Sequence, residues 1–138
     1  MTDSAVQLTW REAACPAEEL ANELERWSER TGIRVETWAL PAADVPDCVA
    51  RAVLAVLGEA LANVERHSGA RTVSIAVTGG SGGWRMTVSD NGQGFDQSRT
   101  GPGLDRMRAA FAEVGGRLSV NSMLGGGTTI TAMAPKRR

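Results

Sequence analysis

The chain's apolar positions recur with two periods, and the points where one gives way to the other divide it into elements. Ala5 to Trp10 alternates, with Val6, Leu8 and Trp10 to one side, and reads as a short edge strand. Pro16 to Arg30 is helical: a proline opens it, Glu18 and Glu19 occupy the first turn, Leu20, Leu24 and Trp27 follow at i, i+4 and i+7, and Gly32 stops it. Ile33 to Leu40 returns to period two with Ile33, Val35 and Thr37 on one side, and Pro41 to Pro46 links it to a helix predicted over about Asp44 to His67. Arg71 to Thr78 places Val73, Ile75 and Val77 on one face; Gly79 to Gly83 reads as a flexible hairpin loop. Trp84 to Val88 then returns antiparallel with Trp84, Met86 and Val88 inward. Gln93 to Thr100 is short, polar and aperiodic, as a mobile lid would be. Leu104, Met107, Arg108 and Phe111 mark a third helix that ends at Gly115-Gly116; Arg117 to Asn121 and Thr128 to Ala134 are the closing strands.

This order of elements predicts one α+β domain over residues 1–138. Its 138 residues, 42% hydrophobic and 22% charged, suffice for a core without staples. A net charge of −1 argues against a general nucleic-acid or membrane-surface binder. Cys15 and Cys48 are far apart and fit no metal spacing, so they read as reduced thiols of a cytosolic protein. No apolar run approaches the roughly 18 residues of a membrane span. The expected location is the cytoplasm, including the cytosolic part of a membrane-bound sensor, with no direct membrane contact.

Candidate chemistry sits in two stretches. On the second predicted helix, Leu57, Leu61 and Val64 share one arc while Glu59, Asn63 and Arg66 share the opposite one. Such a polar arc is commonly a solvated surface. Its order, however, is an acid, then an amide oxygen one turn on, then a cation, and that order suits water, a magnesium ion and phosphate oxygens. His67, at the edge of this arc, is placed for a phosphate or ribose contact, or for capping the helix end. The other stretch, Asp90-Asn91-Gly92-Gln93-Gly94-Phe95, taken alone reads as an Asn-Gly turn ending a strand. Glycines one residue apart also admit a flat ligand to the main chain, with Asp90 able to accept from an amino edge. Gly101-Pro102-Gly103-Leu104 then opens a helix, where backbone amides favour phosphate.

These stretches resemble the motifs of a known superfamily. Glu59-Ala60-Leu61-Ala62-Asn63-Val64-Glu65-Arg66-His67 is similar to the N box of the GHKL (Bergerat-fold) ATPases. Asp90 to Phe95 resembles their first glycine box, Gly101 to Leu104 the second, and Gly125-Gly126-Gly127-Thr128-Thr129 the last; the four stand in the family's order within residues 41–134. Glu-Ala-Leu-x-Asn followed by Arg-His, with Gly-Leu-x-x-Met-Arg, is most similar to sensor histidine kinases that work with NarL-type response regulators.

The resemblance implies a two-layer α/β sandwich, its mixed, mostly antiparallel sheet covered on one face by about three helices. It implies ATP and Mg2+ as ligands. Asp90 would accept the adenine amino group, Gly92 and Gly94 would give the base access to the backbone, and Thr128 would meet the adenine's other side through water. Asn63 would hold magnesium, Arg66 and His67 would contact phosphate or ribose, and Glu59 would be the general base or water-orienting acid. Gly101, Gly103 and the amide of Leu104 would close on the phosphates. The implied function is the catalytic domain of a sensor histidine kinase, acting on a phosphoacceptor helical hairpin of the same kinase, with a NarL-type regulator downstream and no nucleic-acid partner. The sequence shows no such hairpin and no histidine outside the N box, so the expected domain is monomeric and cannot phosphorylate itself in the family's way. A free-standing GHKL regulator that binds a sigma factor or antagonist, with serine kinase activity or none, is the alternative.

Overall fold

The computed structural model describes residues 16–39, 45–65, 69–80, 82–92, 102–122 and 125–135. The elements are α1 (Pro16–Thr31), β1 (Arg34–Ala39), α2 (Asp47–Asn63), β2 (Thr72–Gly80), β3 (Gly83–Asp90), α3 (Pro102–Ala112), β4 (Arg117–Ser122) and β5 (Thr128–Ala134). The five strands form one sheet in the order β1-β2-β3-β5-β4. β1 runs parallel to β2, and every other neighbouring pair is antiparallel. The expected mixed sheet under three helices is what the chain forms. No described helix is long and apolar enough to cross a membrane.

Alternation decides which face the helices cover. Val73, Ile75 and Val77 of β2, Trp84, Met86 and Val88 of β3, and Ile130, Ala132 and Ala134 of β5 are all buried, and they form one cluster with residues of the three helices. From α1 come Leu20, Leu24 and Trp27; from α3, Leu104, Met107 and Phe111. α2 is buried more widely than one apolar arc: Val49, Ala52, Val53, Val56 and Ala60 join Leu57, Leu61 and Val64. A helix apolar over most of its circumference is an interior helix, and α2 is the central element of the covering layer.

Departures from the sequence reading are local. The second helix begins at Asp47, because Pro46 holds an extended backbone (φ −55°, ψ 144°) and disfavours helix at Val45. It ends at Asn63 in a widened π turn at Val64 and Glu65. The register of β1 on β2 slips between Thr37 and Ala39. Thr37, opposite Ile75, keeps the side of Val35, opposite Val73, although it is exposed near the strand's end; the alternation breaks after it, and Trp38 is left 74% exposed. The predicted hairpin loop is shorter than expected: pairing continues to Gly80 opposite Gly83, with only residues 81 and 82 between. Gly79 makes this possible, since a Cβ there would lie 2.5 Å from the Trp84 ring. The strand predicted over residues 5–10 and the lid over 93–100 lie outside the described residues.

Candidate functional site

Strand register brings the last inward-facing positions of four strands into one row. Val73 pairs with Asp90, Asp90 with Thr128, and Thr128 with Ser122. Since directly opposed residues share a face, Asp90, Thr128 and Ser122 stand side by side at one end of the helix-covered face. Two elements distant in sequence, the first and last glycine boxes, thereby become neighbours.

The row is tightly braced. The Gly92 amide donates to Asp90 Oδ1 at 2.8 Å, and the Thr128 amide donates to the same carboxylate. Burial nevertheless pushes the Asp90 carboxyl above its usual range; the two amide bonds oppose that shift without cancelling it. Asn91 anchors the turn from below, its Oδ1 accepting from the amides of Arg71 (3.0 Å) and Thr72 (3.1 Å). Its own amide donates to the Thr72 carbonyl at 3.3 Å. Gly127 has φ +82°, and a Cβ there would collide with the Asp90 carbonyl oxygen. Ser122, 4% exposed, places its hydroxyl 2.8 Å from Thr128 Oγ1 and 3.2 Å from the Gly127 carbonyl oxygen.

The second cluster joins α2 to α3. Glu59, whose side chain is 14% exposed, accepts from Arg106 Nε at 2.6 Å through Oε2 and from Arg106 Nη2 at 3.1 Å through Oε1. This two-point fork raises the guanidinium above its ordinary range through its hydrogen bond and charge pairing with Glu59. Gly103 packs against the same carboxylate, a Cβ there reaching 3.1 Å from Glu59 Oε1. Leu104, buried, fixes the first turn of α3 in the core. Asn63, half-buried, is one turn on from Glu59 at the end of α2. Just beyond it Glu65 accepts from Trp27 Nε1 (3.3 Å) and Arg30 Nη1 (2.9 Å), tying the end of α2 to α1. Arg66, His67, Gly94 and Gly101 lie outside the described residues.

The structure therefore gathers Asp90, Gly92 and Thr128 into one subsite and Glu59, Gly103 and Leu104 into another. Asn91, Ser122, Glu65 and Arg106 are the residues that sequence reasoning missed. In the sequence Asn91 reads as a turn residue, and a polar residue at the inward phase of β4 after Leu118 and Val120 is the available sign of Ser122. Contacts across 38 residues (Trp27 to Glu65) or 47 residues (Glu59 to Arg106) leave no local pattern.

Residues 48–138 match the family described as histidine kinase-, DNA gyrase B-, and HSP90-like ATPases. The chain belongs to that family. Among curated relatives, the sensor histidine kinase MctS of Rhizobium johnstonii is 42% identical over 117 residues, covering 80% of this chain and 25% of the relative. The sensor histidine kinase LiaS of Bacillus subtilis is 32% identical over 121 residues, covering 86% of this chain and 33% of the relative. The chain thus spans a quarter to a third of these curated relatives. Among solved structures, the histidine kinase domain of the blue-light activated kinase of Erythrobacter litoralis superposes with a TM-score of 0.73 at 21% identity, over 96% of this chain and 66% of the other. The histidine kinase AdeS of Acinetobacter baumannii gives 0.69 at 19% identity, over 88% and 63%. Both share the fold of this ATPase domain.

The acceptor at Asp90 agrees with the nucleotide binding of the family. Asp90 is a partly desolvated acceptor held in place by the amides of Gly92 and Thr128. Among the described residues no three His, Cys, Asp or Glu side chains converge as a metal cage. Magnesium keeps most of its ligands as water and phosphate oxygen and needs no such cage.

Proposed function

We propose that this chain is the ATP-binding catalytic domain of a two-component sensor histidine kinase, which delivers the γ-phosphoryl group of ATP to a histidine on a separate dimerising helical hairpin for relay to a NarL-type response regulator. The carrying observation is the Asp90–Thr128 row, a partly desolvated acceptor held by two backbone amides and paired across two strands with a hydroxyl. The names of the curated relatives support the kinase assignment.

In this reading Asp90 accepts from the adenine amino group, and Gly92 and Gly94 let the base approach the main chain. Thr128 meets the base from the other side. Asn63 supplies a magnesium ligand, while Arg66 and His67 contact phosphate or ribose. Gly101, Gly103 and the Leu104 amide face the phosphates at the start of α3. Glu59 orients the incoming nucleophile. Magnesium, when bound, neutralises phosphate charge as the transferring group moves. Phosphoryl transfer asks the protein mainly for positioning and charge stabilisation, and these residues are of the types that provide both.

The test is calorimetric titration of the chain with ATP and magnesium beside Asp90→Ala, followed by phosphotransfer to a separately supplied hairpin. Asp90-dependent binding and labelling of the hairpin histidine are the expected results. No binding by the wild type would remove the reading; binding without transfer would reduce it to a nucleotide-binding regulator.

A further inference from the structure

The end of the sheet opposite Asp90 carries a concentration of the other sign of charge. Asp90 closes β3, and Arg85 lies about 17 Å back along the same strand. Arg85 opposes Met133 of β5, and Met133 opposes Arg117 of β4. Directly opposed residues share a face, so these three stand in one row on the face that the helices leave uncovered. Both arginines are exposed, Met133 is 36% exposed, and the three line a cleft of about 470 Å³ with Gly82, Gly116 and Pro135.

No acid lines this cleft, and among the described residues neither arginine is held in an ion pair. The next positions on the same face, Thr87, Thr131 and Ser119, are uncharged and do not neutralise the pair. The asymmetry continues in the sequence. Residues 117–138 contain Arg117, Lys136, Arg137 and Arg138 and no acid, and the last three directly follow Pro135 of the cleft. With Arg85 these are five of the chain's 15 basic residues, and the other ten stand against all 16 acids.

Two features choose among anionic partners. An apolar, adaptable side chain sits between the guanidinium groups, and arginine and methionine are enriched where proteins meet. A nucleic acid or an anionic membrane is held instead by basic residues spread along a surface, and the acid-rich remainder of this chain repels both. Arg85 and Arg117 are two strand spacings apart, about 10 Å. An α-helix places residues i and i+7 about 10.5 Å apart on one side, with i+4 between them. A helix with acids at i and i+7 and an apolar residue at i+4 therefore matches all three side chains, each carboxylate taking one guanidinium through a two-point fork.

We propose that the row of Arg85, Met133 and Arg117 is a docking surface for an acidic amphipathic helix of a partner protein, separate from the Asp90 end of the sheet. The experiment is fluorescence anisotropy of the whole chain with a labelled synthetic helical peptide that carries glutamate at i and i+7 around leucine at i+4. Beside it are run the same peptide with glutamine for glutamate, a single-stranded oligonucleotide of equal charge, and anionic vesicles. The acidic peptide is expected to bind, and to bind less tightly as salt is raised; the glutamine peptide is not expected to bind. Arg85→Gln and Arg117→Gln should each weaken the acidic peptide about three- to fivefold, and the double variant by about the product, since each guanidinium takes its own carboxylate. Met133→Ala should weaken it by a factor that persists at high salt, as lost apolar contact does. All three side chains are exposed, so melting curves of the variants should match wild type and separate lost docking from lost folding. No binding of the acidic peptide, or binding unchanged in the double variant, would overturn the proposal. So would equal binding of the glutamine peptide, and so would an oligonucleotide or vesicles bound as tightly as the acidic peptide through the same two arginines, which would make the row a general polyanion patch.

Discussion

A carboxylate that loses water on folding needs compensation, and at Asp90 the amides of Gly92 and Thr128 supply it only in part. Its folded pKa is therefore raised above 3.8. The sign follows: Asp90 favours the fold most below its unfolded pKa, and that contribution is lost as pH rises through the folded value. Asp90→Asn should thus melt no lower than wild type at pH 7, while nucleotide binding, which needs the charged acceptor, disappears; thermal melts and titrations of both proteins check this. In wild type, affinity should fall with decreasing pH earlier than for an ordinary carboxylate. Gly127→Ala should act oppositely on stability. A side chain at φ +82° costs about 1–2 kcal/mol before the collision with the Asp90 carbonyl is added, and denaturant unfolding should show at least that loss. The roles of Asp90 and Thr128 were expected from their motifs, but their direct pairing depends on β5 lying between β3 and β4, which no local pattern specifies.

Among the elements, the Glu59–Arg106 fork links α2 to the first turns of α3. The side chain of Arg106 is 57% exposed, so the pair adds only modestly to stability, and Arg106→Ala should lower the melting temperature by no more than about 5 °C. Its effect should appear in turnover instead: without the guanidinium the Glu59 carboxylate is no longer aimed at α3, and kcat for phosphotransfer to a supplied hairpin should change more than KM for ATP. Equal changes in both would assign the fork to nucleotide binding. The helices themselves were legible because Leu20, Leu24 and Trp27, and later Leu104, Met107 and Phe111, repeat at helical spacing and are all buried. The wider burial of α2 was harder to read, since small residues such as Ala52 and Ala60 sit equally well on a surface or in a core.

For the molecule as a whole, strand phase was readable wherever one face of a strand packs under the helices. Val73, Ile75 and Val77 alternate against a covering layer and end up inside it. β1 pairs only with β2 among the described residues, and the slip after Thr37 could not be read from periodicity because it adds a residue without changing the amino-acid pattern. That slip makes a natural optical probe. Trp27 and Trp84 are 3% and 8% exposed, while Trp38 stands 74% in solvent on the strand whose Val35 pairs with Val73 of the site row. The difference emission spectrum between wild type and Trp38→Phe should be red-shifted and readily quenched by iodide. A shift of that difference to shorter wavelength when another molecule is added would report contact at this sheet edge, without a dye and without altering a residue of the site.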